Sequence, residues 1–261
     1  MNKFAANLSM LFTELDFLDR FEAAAAAGFT AVEYLFPYDY SAEDLQAQLR
    51  KYHLTQALFN APPGDWQNGE RGIACLQGRE QEFIAGIEQA IEYAKVLGNK
   101  RIHVMAGIIP DDSSTAATEQ RYINNLRLAA QLAKAEQITI LIEPINNTDM
   151  PGYLLNYPQQ AIEFIDKIDC ANLRLQFDFY HCQIMQGNVI ETFKRLQTYI
   201  DHVQIAGVPG RHEPDQGELN YHYILQQIAQ SSYAGYIGCE YLPRTTTLKG
   251  LGWLKTLNKT L

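Results

Sequence analysis

Glu143, Asp178, Gln204 and Glu240 are the residues whose types and spacing point to chemistry. Each carries an oxygen-bearing side chain at or near the end of an apolar run. The runs are Ile138-Thr139-Ile140-Leu141-Ile142-Glu143, Leu173-Arg174-Leu175-Gln176-Phe177-Asp178, His202-Val203-Gln204-Ile205-Ala206 and Tyr236-Ile237-Gly238-Cys239-Glu240. The first is a short, Ile-rich stretch, which reads as a strand buried on both faces, and Pro144 stops it at Glu143. A charge at such a strand end is either paired or bound to something. Neighbouring strands lie about 5 Å apart, so four such side chains on consecutive strands can surround one ion. Three carboxylates and an amide make an all-oxygen set, which favours a hard cation, Mg²⁺ or Mn²⁺, over zinc. Without a cation the carboxylates would repel one another, and at least one would take up a proton. Any one of the four taken alone is better explained by a helix cap or a salt bridge. Four together would need four separate explanations of that kind.

The elements that must position them alternate. Strands are expected at 3–9, 30–36, 54–59, 100–106, 138–143, 173–178, 202–206 and 236–240. Between them the 3.6-residue apolar spacing predicts helices over Glu14–Ala27, from Ser41 onward, Arg79–Leu97, Ala117–Glu136, Tyr157–Ile168, Val189–Tyr199 and Asn220–Ser231, with a short one closing the chain. Gly28 and Gly98 sit where helix C-caps belong. Strict alternation implies parallel pairing with right-handed crossovers. Eight such units in 261 residues is the size of an α/β protein of the (β/α)8 TIM-barrel class, folded as one domain over 1–261. A doubly wound open sheet is the alternative. The first βα turn lacks GxGxxG, which weakens a dinucleotide-binding reading. In a barrel, the strand ends carrying the four residues form one rim, where active sites sit.

Composition narrows the partners. The net charge of −9 and pI of about 5.2 argue against a nucleic-acid or membrane surface, since both want clustered Lys and Arg. A small anion needs only one or two local cations. The N-terminus has no signal-peptide run and no apolar stretch reaches transmembrane length. Cys75, Cys170, Cys182 and Cys239 are scattered, with neither CxxC nor zinc spacing, and read as reduced thiols. The expected compartment is the cytoplasm.

Other side chains invite a role, each beside a plainer reading. His181, three residues past Asp178, can donate to a substrate oxygen or bond to backbone. His103, mid-strand, reads as barrel lining, while His53 and His222 read as helix surface. Arg211 follows the Gln204 strand in the loop 207–218. Arg71 lies in the long Gly/Pro-rich loop 60–78, and a loop of that length is usually functional or disordered. Either arginine can hold a carboxylate through a bidentate contact or lie solvated. Trp66, Phe36 and Tyr241 can wall a pocket or fill the core.

Several motifs carry a resemblance. They are Asn7-Leu8-Ser9-Met10-Leu11-Phe12, Phe36-Pro37-Tyr38-Asp39-Tyr40, Gly64-Asp65-Trp66, Gly69-Glu70-Arg71-Gly72, Ile142-Glu143-Pro144-Ile145-Asn146, His202-Val203-Gln204-Ile205-Ala206, Gly217-Glu218-Leu219-Asn220-Tyr221 and Gly238-Cys239-Glu240-Tyr241. Together the chain resembles the hydroxypyruvate isomerase family of xylose-isomerase-like TIM barrels, which includes the 2-oxo-tetronate isomerases. The resemblance runs over nearly the whole chain. It implies that Glu143 and Glu240 are the proton donor and acceptor, and that Glu143, Asp178, Gln204 and Glu240 hold a divalent metal, the set reached above. Related sugar epimerases have His where this chain has Gln204. Arg211 and His181 look similar to substrate-contacting positions of those epimerases. The implied reaction moves a carbonyl between adjacent carbons through a cis-enediolate, hydroxypyruvate becoming tartronate semialdehyde, or a 2-oxo-tetronate its 3-oxo isomer. The implied partner is a small anionic hydroxy-oxo acid, and a homo-oligomer is compatible with it. A keto-sugar 3-epimerase is the nearest enzyme rival. An abasic-site endonuclease would need several strand-end His ligands and a basic face. A non-catalytic sugar-binding protein would not need paired glutamates around a metal.

Overall fold

The computed structural model describes residues 2–110 and 114–258. Eight parallel strands close into a barrel in chain order. They are β1 (Lys3–Asn7), β2 (Ala31–Glu33), β3 (Thr55–Asn60), β4 (Arg101–His103), β5 (Thr139–Ile142), β6 (Leu173–Asp178), β7 (Ile200–Ile205) and β8 (Tyr236–Cys239). β8 pairs back onto β1, so no edge is left open. The crossovers carry helices Asp19–Ala26, Ala42–Lys51, Glu80–Leu97, Thr115–Lys134, Pro158–Ile168, Val189–Leu196 and Tyr221–Gln230. This is the (β/α)8 barrel expected from the alternation. No helix among the described residues is long and apolar enough to cross a membrane.

Two departures bear on the site. The first helix starts at Asp19, not Glu14. The Glu14 carboxylate accepts instead from the Thr247 backbone N–H (3.0 Å) and hydroxyl (3.4 Å), a tie from the other end of the chain that local spacing cannot show. Phe12, at φ 59°, turns the backbone just before it. The second departure is a short helix, Phe179–Met185, directly after β6. The Asp178 side chain caps it by accepting from Tyr180 N–H at 2.8 Å, as an N-cap carboxylate does. Of the loop between Gly107 and Ser114, Asp111, Asp112 and Ser113 lie outside the described residues.

The strands are buried on both faces, but the two faces differ in kind. Leu173, Leu175 and Phe177 of β6, Val203 and Ile205 of β7, and Ile237 and Cys239 of β8 belong to the apolar layer shared with the helices. The alternate positions are Gln176 and Asp178, His202 and Gln204, and Gly238 followed by Glu240. These turn into the barrel, since successive strand side chains point to opposite faces. Ala5, Ala31 and Ala57 pack together as a separate small cluster with Tyr236. Towards the C-terminal ends of the strands the buried side chains become polar: Asn7, Glu33, Asn60, His103, Gln176 and His202.

Gly238 makes room for one of them. A Cβ there would lie 2.4 Å from both carboxylate oxygens of Glu33. Glu33 cannot swing aside, because His202 Nε2 (2.7 Å), Gln204 Nε2 (2.8 Å) and Asn7 Nδ2 (3.1 Å) all reach it. Gly238→Ala therefore overpacks a filled interior and is expected to destabilise by about 1–3 kcal/mol. Urea unfolding of the two proteins reads this directly, and an unchanged midpoint would mean that the Glu33 network yields freely.

Candidate active site

Each strand end delivers one side chain to the rim. Glu143 directly follows β5 and precedes Pro144, Asp178 closes β6 where the Phe179–Met185 helix begins, and Glu240 follows β8. One ligand-capable atom from each of Glu143, Asp178, Glu240 and His181 lies within 4.8 Å of the others. All four residues are buried, at 4%, 2%, 4% and 2% exposure. His181 joins them because the short helix after β6 turns it back over the rim, its Nε2 lying 3.6 Å from Asp178 Oδ2 and 4.0 Å from Glu143 Oε1.

The cluster is electrostatically unbalanced. Burial pushes the Glu143 carboxyl well above the usual carboxylate range, and the charges of Glu240 and Asp178 add to the rise. Burial likewise raises Asp178 to about 6 and Glu240 to about 8, with Arg211 working against both shifts. Glu143 Oε1 and Asp178 Oδ2 are buried without a hydrogen-bond partner among the described residues. The cation in contact is Arg211, whose Nη2 lies 2.6 Å from Glu240 Oε2 and 3.9 Å from Asp178 Oδ2. Orphaned carboxylate oxygens, with a guanidinium standing in as counter-charge, fit a divalent cation. The cluster can hold a metal ion.

Gln204 lies beside this group, in register with Asp178 on β6 and Gly238 on β8. Both ends of its amide have protein partners. Nε2 donates to Glu33 Oε1 at 2.8 Å, and Oε1 accepts from Gln176 Nε2 at 2.6 Å. An amide oxygen has two lone pairs, so one remains for another partner. Asn7 Nδ2 bridges Glu33 Oε1 (3.1 Å) and Glu240 Oε1 (3.2 Å), linking this buried layer to the rim.

A cavity of about 470 Å³ opens above the cluster, within the size range of small-molecule sites. Arg71 and Arg211 both line it, as do Trp66, Asp149 and Tyr180. Arg71 stacks 4.0 Å over the Trp66 ring, and its Nη1 donates to the backbone oxygens of Trp66 (3.0 Å) and Glu70 (2.8 Å). Its neighbour Glu70 is taken by Arg79 at 2.5 Å. Among the described residues no acidic side chain pairs with Arg71. Phe36 meets the Trp66 ring edge-on at 5.0 Å. Tyr241 is instead in the core, accepting from Trp253 Nε1. His103 faces the cavity with Nδ1 at 3.3 Å from Asn60 Oδ1. His53 and His222 are exposed.

Residues 21–257 match the sequence profile of the xylose isomerase-like TIM barrel. The 2-oxo-tetronate isomerase of Cupriavidus necator is 56% identical over 255 residues, 98% of each chain. The hydroxypyruvate isomerase of Escherichia coli is 48% identical, covering 97% of this chain and 98% of its own. The chain belongs to the hydroxypyruvate isomerase family. A crystal structure from Brucella melitensis, described as an AP endonuclease of family 2, superposes with a TM-score of 0.96 at 44% identity, covering 98% of this chain and 99% of the other. As a hydroxypyruvate isomerase family member the protein is an enzyme, an isomerase of that type. Within this barrel, attention to late strand ends alone misses Glu33, a carboxylate that ends β2 and anchors the polar layer below the rim. The same rule of a charge closing an apolar strand, applied to Ala31-Val32-Glu33, would have found it. Asn146 and Asp149, which hold His181 and Tyr180, carry no comparable signal.

The raised carboxyl groups set a pH dependence. Between their ordinary values of 3.8 and 4.5 and their folded values near 6 and 8, the folded protein binds more protons than the unfolded one. The contribution of these groups to stability is therefore full at low pH and lost as pH rises through that window. A divalent cation must displace the same protons, so its affinity should rise with pH over the same range. Calorimetry of metal-stripped protein, with and without added Mg²⁺, from pH 5 to 8.5 checks both slopes. Metal affinity that is flat over the window would mean the carboxyls are already ionised.

Proposed function

We propose that this enzyme isomerises a small hydroxy-oxo acid, moving its carbonyl to the neighbouring carbon by proton transfer between Glu143 and Glu240. The observation that carries this reading is that two buried glutamates converge on the floor of a cavity whose wall displays Arg71, which has no acidic partner among the described residues. A carboxylate pair can take a proton from one carbon and return it to the next. An uncompensated arginine is what a substrate carboxylate requires.

In this reading Glu143, Asp178, Gln204 and Glu240 hold the divalent ion, Mg²⁺ or Mn²⁺. When bound, it supplies positive charge against the oxygens of the cis-enediolate. One glutamate takes the proton from the hydroxyl-bearing carbon, the hydroxyl proton passes to the former carbonyl oxygen, and the other glutamate delivers its proton to the former carbonyl carbon, so that the two glutamates end with exchanged protonation states. Burial raises both glutamates above the usual carboxylate range, Glu240 to about 8, which suits groups that exchange protons with a substrate. His181 donates to a substrate oxygen. Arg71 binds the substrate carboxylate, fixed by its stacking on Trp66, while Arg211 is engaged with Glu240.

The names of the relatives offer three-carbon and four-carbon acids, hydroxypyruvate and a 2-oxo-tetronate. A volume of about 470 Å³ leaves space for a fourth carbon, and the higher identity, 56% against 48%, is to the tetronate isomerase. We therefore place the tetronate first and hydroxypyruvate second. The endonuclease description of the Brucella protein does not carry over. The net charge is −9, and the cluster includes a single histidine among the described residues. A keto-sugar epimerase would leave Arg71 without a role.

Glu143→Gln and Glu240→Gln should each lower kcat by about 10²–10⁴-fold with the fold retained by circular dichroism. Near-normal turnover in either would remove that residue from the acid–base pair. Arg71→Gln should raise KM for both acids by about 10–100-fold, the strength of a hydrogen bond to a charged group. A coupled assay offering a 2-oxo-tetronate, hydroxypyruvate and a keto-hexose side by side decides the substrate. Turnover of the keto-hexose alone would overturn the reading.

A further inference from the structure

His181 stands in a position that suits two exclusive roles. Its ring nitrogen lies among the carboxylates, so a bare Nε2 would be a metal ligand. A protonated Nε2 would be a hydrogen-bond donor to whatever enters the cavity. The residue that decides between them is Asn146, just past the end of β5.

The orientation of the Asn146 amide is over-determined. Its Oδ1 accepts from the backbone N–H groups of Thr148 (3.0 Å) and Asp149 (2.8 Å). Its Nδ2 donates to Asp149 Oδ2 at 3.0 Å. Turning the amide over would set its NH₂ against two N–H donors and its oxygen against a carboxylate. Nδ2 therefore faces His181 Nδ1, at 2.7 Å, as a donor. The Asn146 backbone N–H approaches the same Nδ1 at 3.4 Å. Asp149 is itself held by the Tyr180 hydroxyl at 2.9 Å. Two donors aimed at Nδ1 require a lone pair there, and a neutral imidazole with a bare Nδ1 carries its proton on Nε2.

We infer that Asn146 is a positioning residue that locks His181 as the Nε2–H tautomer, which excludes it from metal coordination and reserves it as a hydrogen-bond donor to the substrate. The last clause rests on the function proposed above; the tautomer does not. Nε2 lies beyond hydrogen-bond distance of Asp178 and Glu143, at 3.6 Å and 4.0 Å, so its proton is left for the cavity. The lock also explains how a histidine sits in a carboxylate cluster without softening it. With Nε2 protonated, the ligand set stays all-oxygen and keeps its preference for hard cations.

The test reads the tautomer itself. Long-range ¹H–¹⁵N correlation spectra of ring-labelled wild-type protein, metal-free and Mg²⁺-loaded, should show His181 Nε2 protonated and Nδ1 bare in both states. A protonated Nδ1, or an Nε2 that loses its proton when Mg²⁺ binds, would overturn the inference. The charge-neutral swap Asn146→Asp/Asp149→Asn reverses the polarity of the bond to Nδ1. It should move the proton to Nδ1 and expose a bare Nε2. The Zn²⁺ affinity relative to Mg²⁺ should then rise by about tenfold or more, the scale on which partners of metal-ligating histidines act. A swapped protein that keeps the Nε2–H tautomer and the wild-type metal preference would show that Asn146 does not set it. The wild-type spectra decide the matter even where the swap does not fold. If the tautomer is as stated but neither acid is turned over, the proposed function fails and the lock stands.

Discussion

Three carboxylates buried against one guanidinium impose the main constraint on this molecule. Glu143, Asp178 and Glu240 share a space in which ligand-capable atoms lie within 4.8 Å of one another, and like charges so placed cannot all ionise without a cation. Arg211 answers part of that demand through Glu240 and sits near Asp178. The remainder appears as raised carboxyl pKa values and as oxygens with no partner. The same imbalance gives the site its capacity to take a divalent ion and holds Glu143 and Glu240 above the usual carboxylate range.

Holding such a cluster at the rim requires an unusual barrel interior. Where the lower end is closed by alanines, the layer under the rim is a connected set of polar groups: Glu33 receives His202, Gln204 and Asn7, and Gln204 in turn receives Gln176. Most of the layer's donors and acceptors are paired, as a buried polar network requires, while Gln176 Oε1 and His202 Nδ1 have no hydrogen-bond partner among the described residues. Gly238 supplies the missing volume for Glu33. The network reaches Glu240 through Asn7, so the position of a rim carboxylate depends on strands on both sides of the barrel closure.

The cavity above is built from loops, and its parts answer different needs. Arg71 is braced by Trp66 and by backbone oxygens and, among the described residues, by no acid, which in the proposed reading leaves its charge for the substrate. His181 is braced by Asn146, which in that reading leaves its proton for the substrate. Arg211 is committed to the cluster. Three cationic or hydrogen-bonding side chains that look interchangeable along the chain thus differ in what each can still bind.

Much of this was legible in the chain. Alternating strand and helix patterns in eight units, Pro144 after the fifth strand and carboxylates closing the late strands point to a barrel and place Glu143, Asp178 and Glu240 on one rim, because side-chain direction in a strand follows a period of two. Arg71 and His181 were also visible as candidates. Other features were decided only by tertiary structure. Glu14 leaves its helix for Thr247, some 230 residues away in the chain. Gln204 is bonded at both ends by neighbours on β2 and β6. Asn146 fixes the tautomer of a histidine on another element. Local propensity reports which backbone a residue favours and which face it takes. It carries no information on which polar group from a distant strand will meet a given nitrogen or oxygen, and in this site that pairing settles what each group can do.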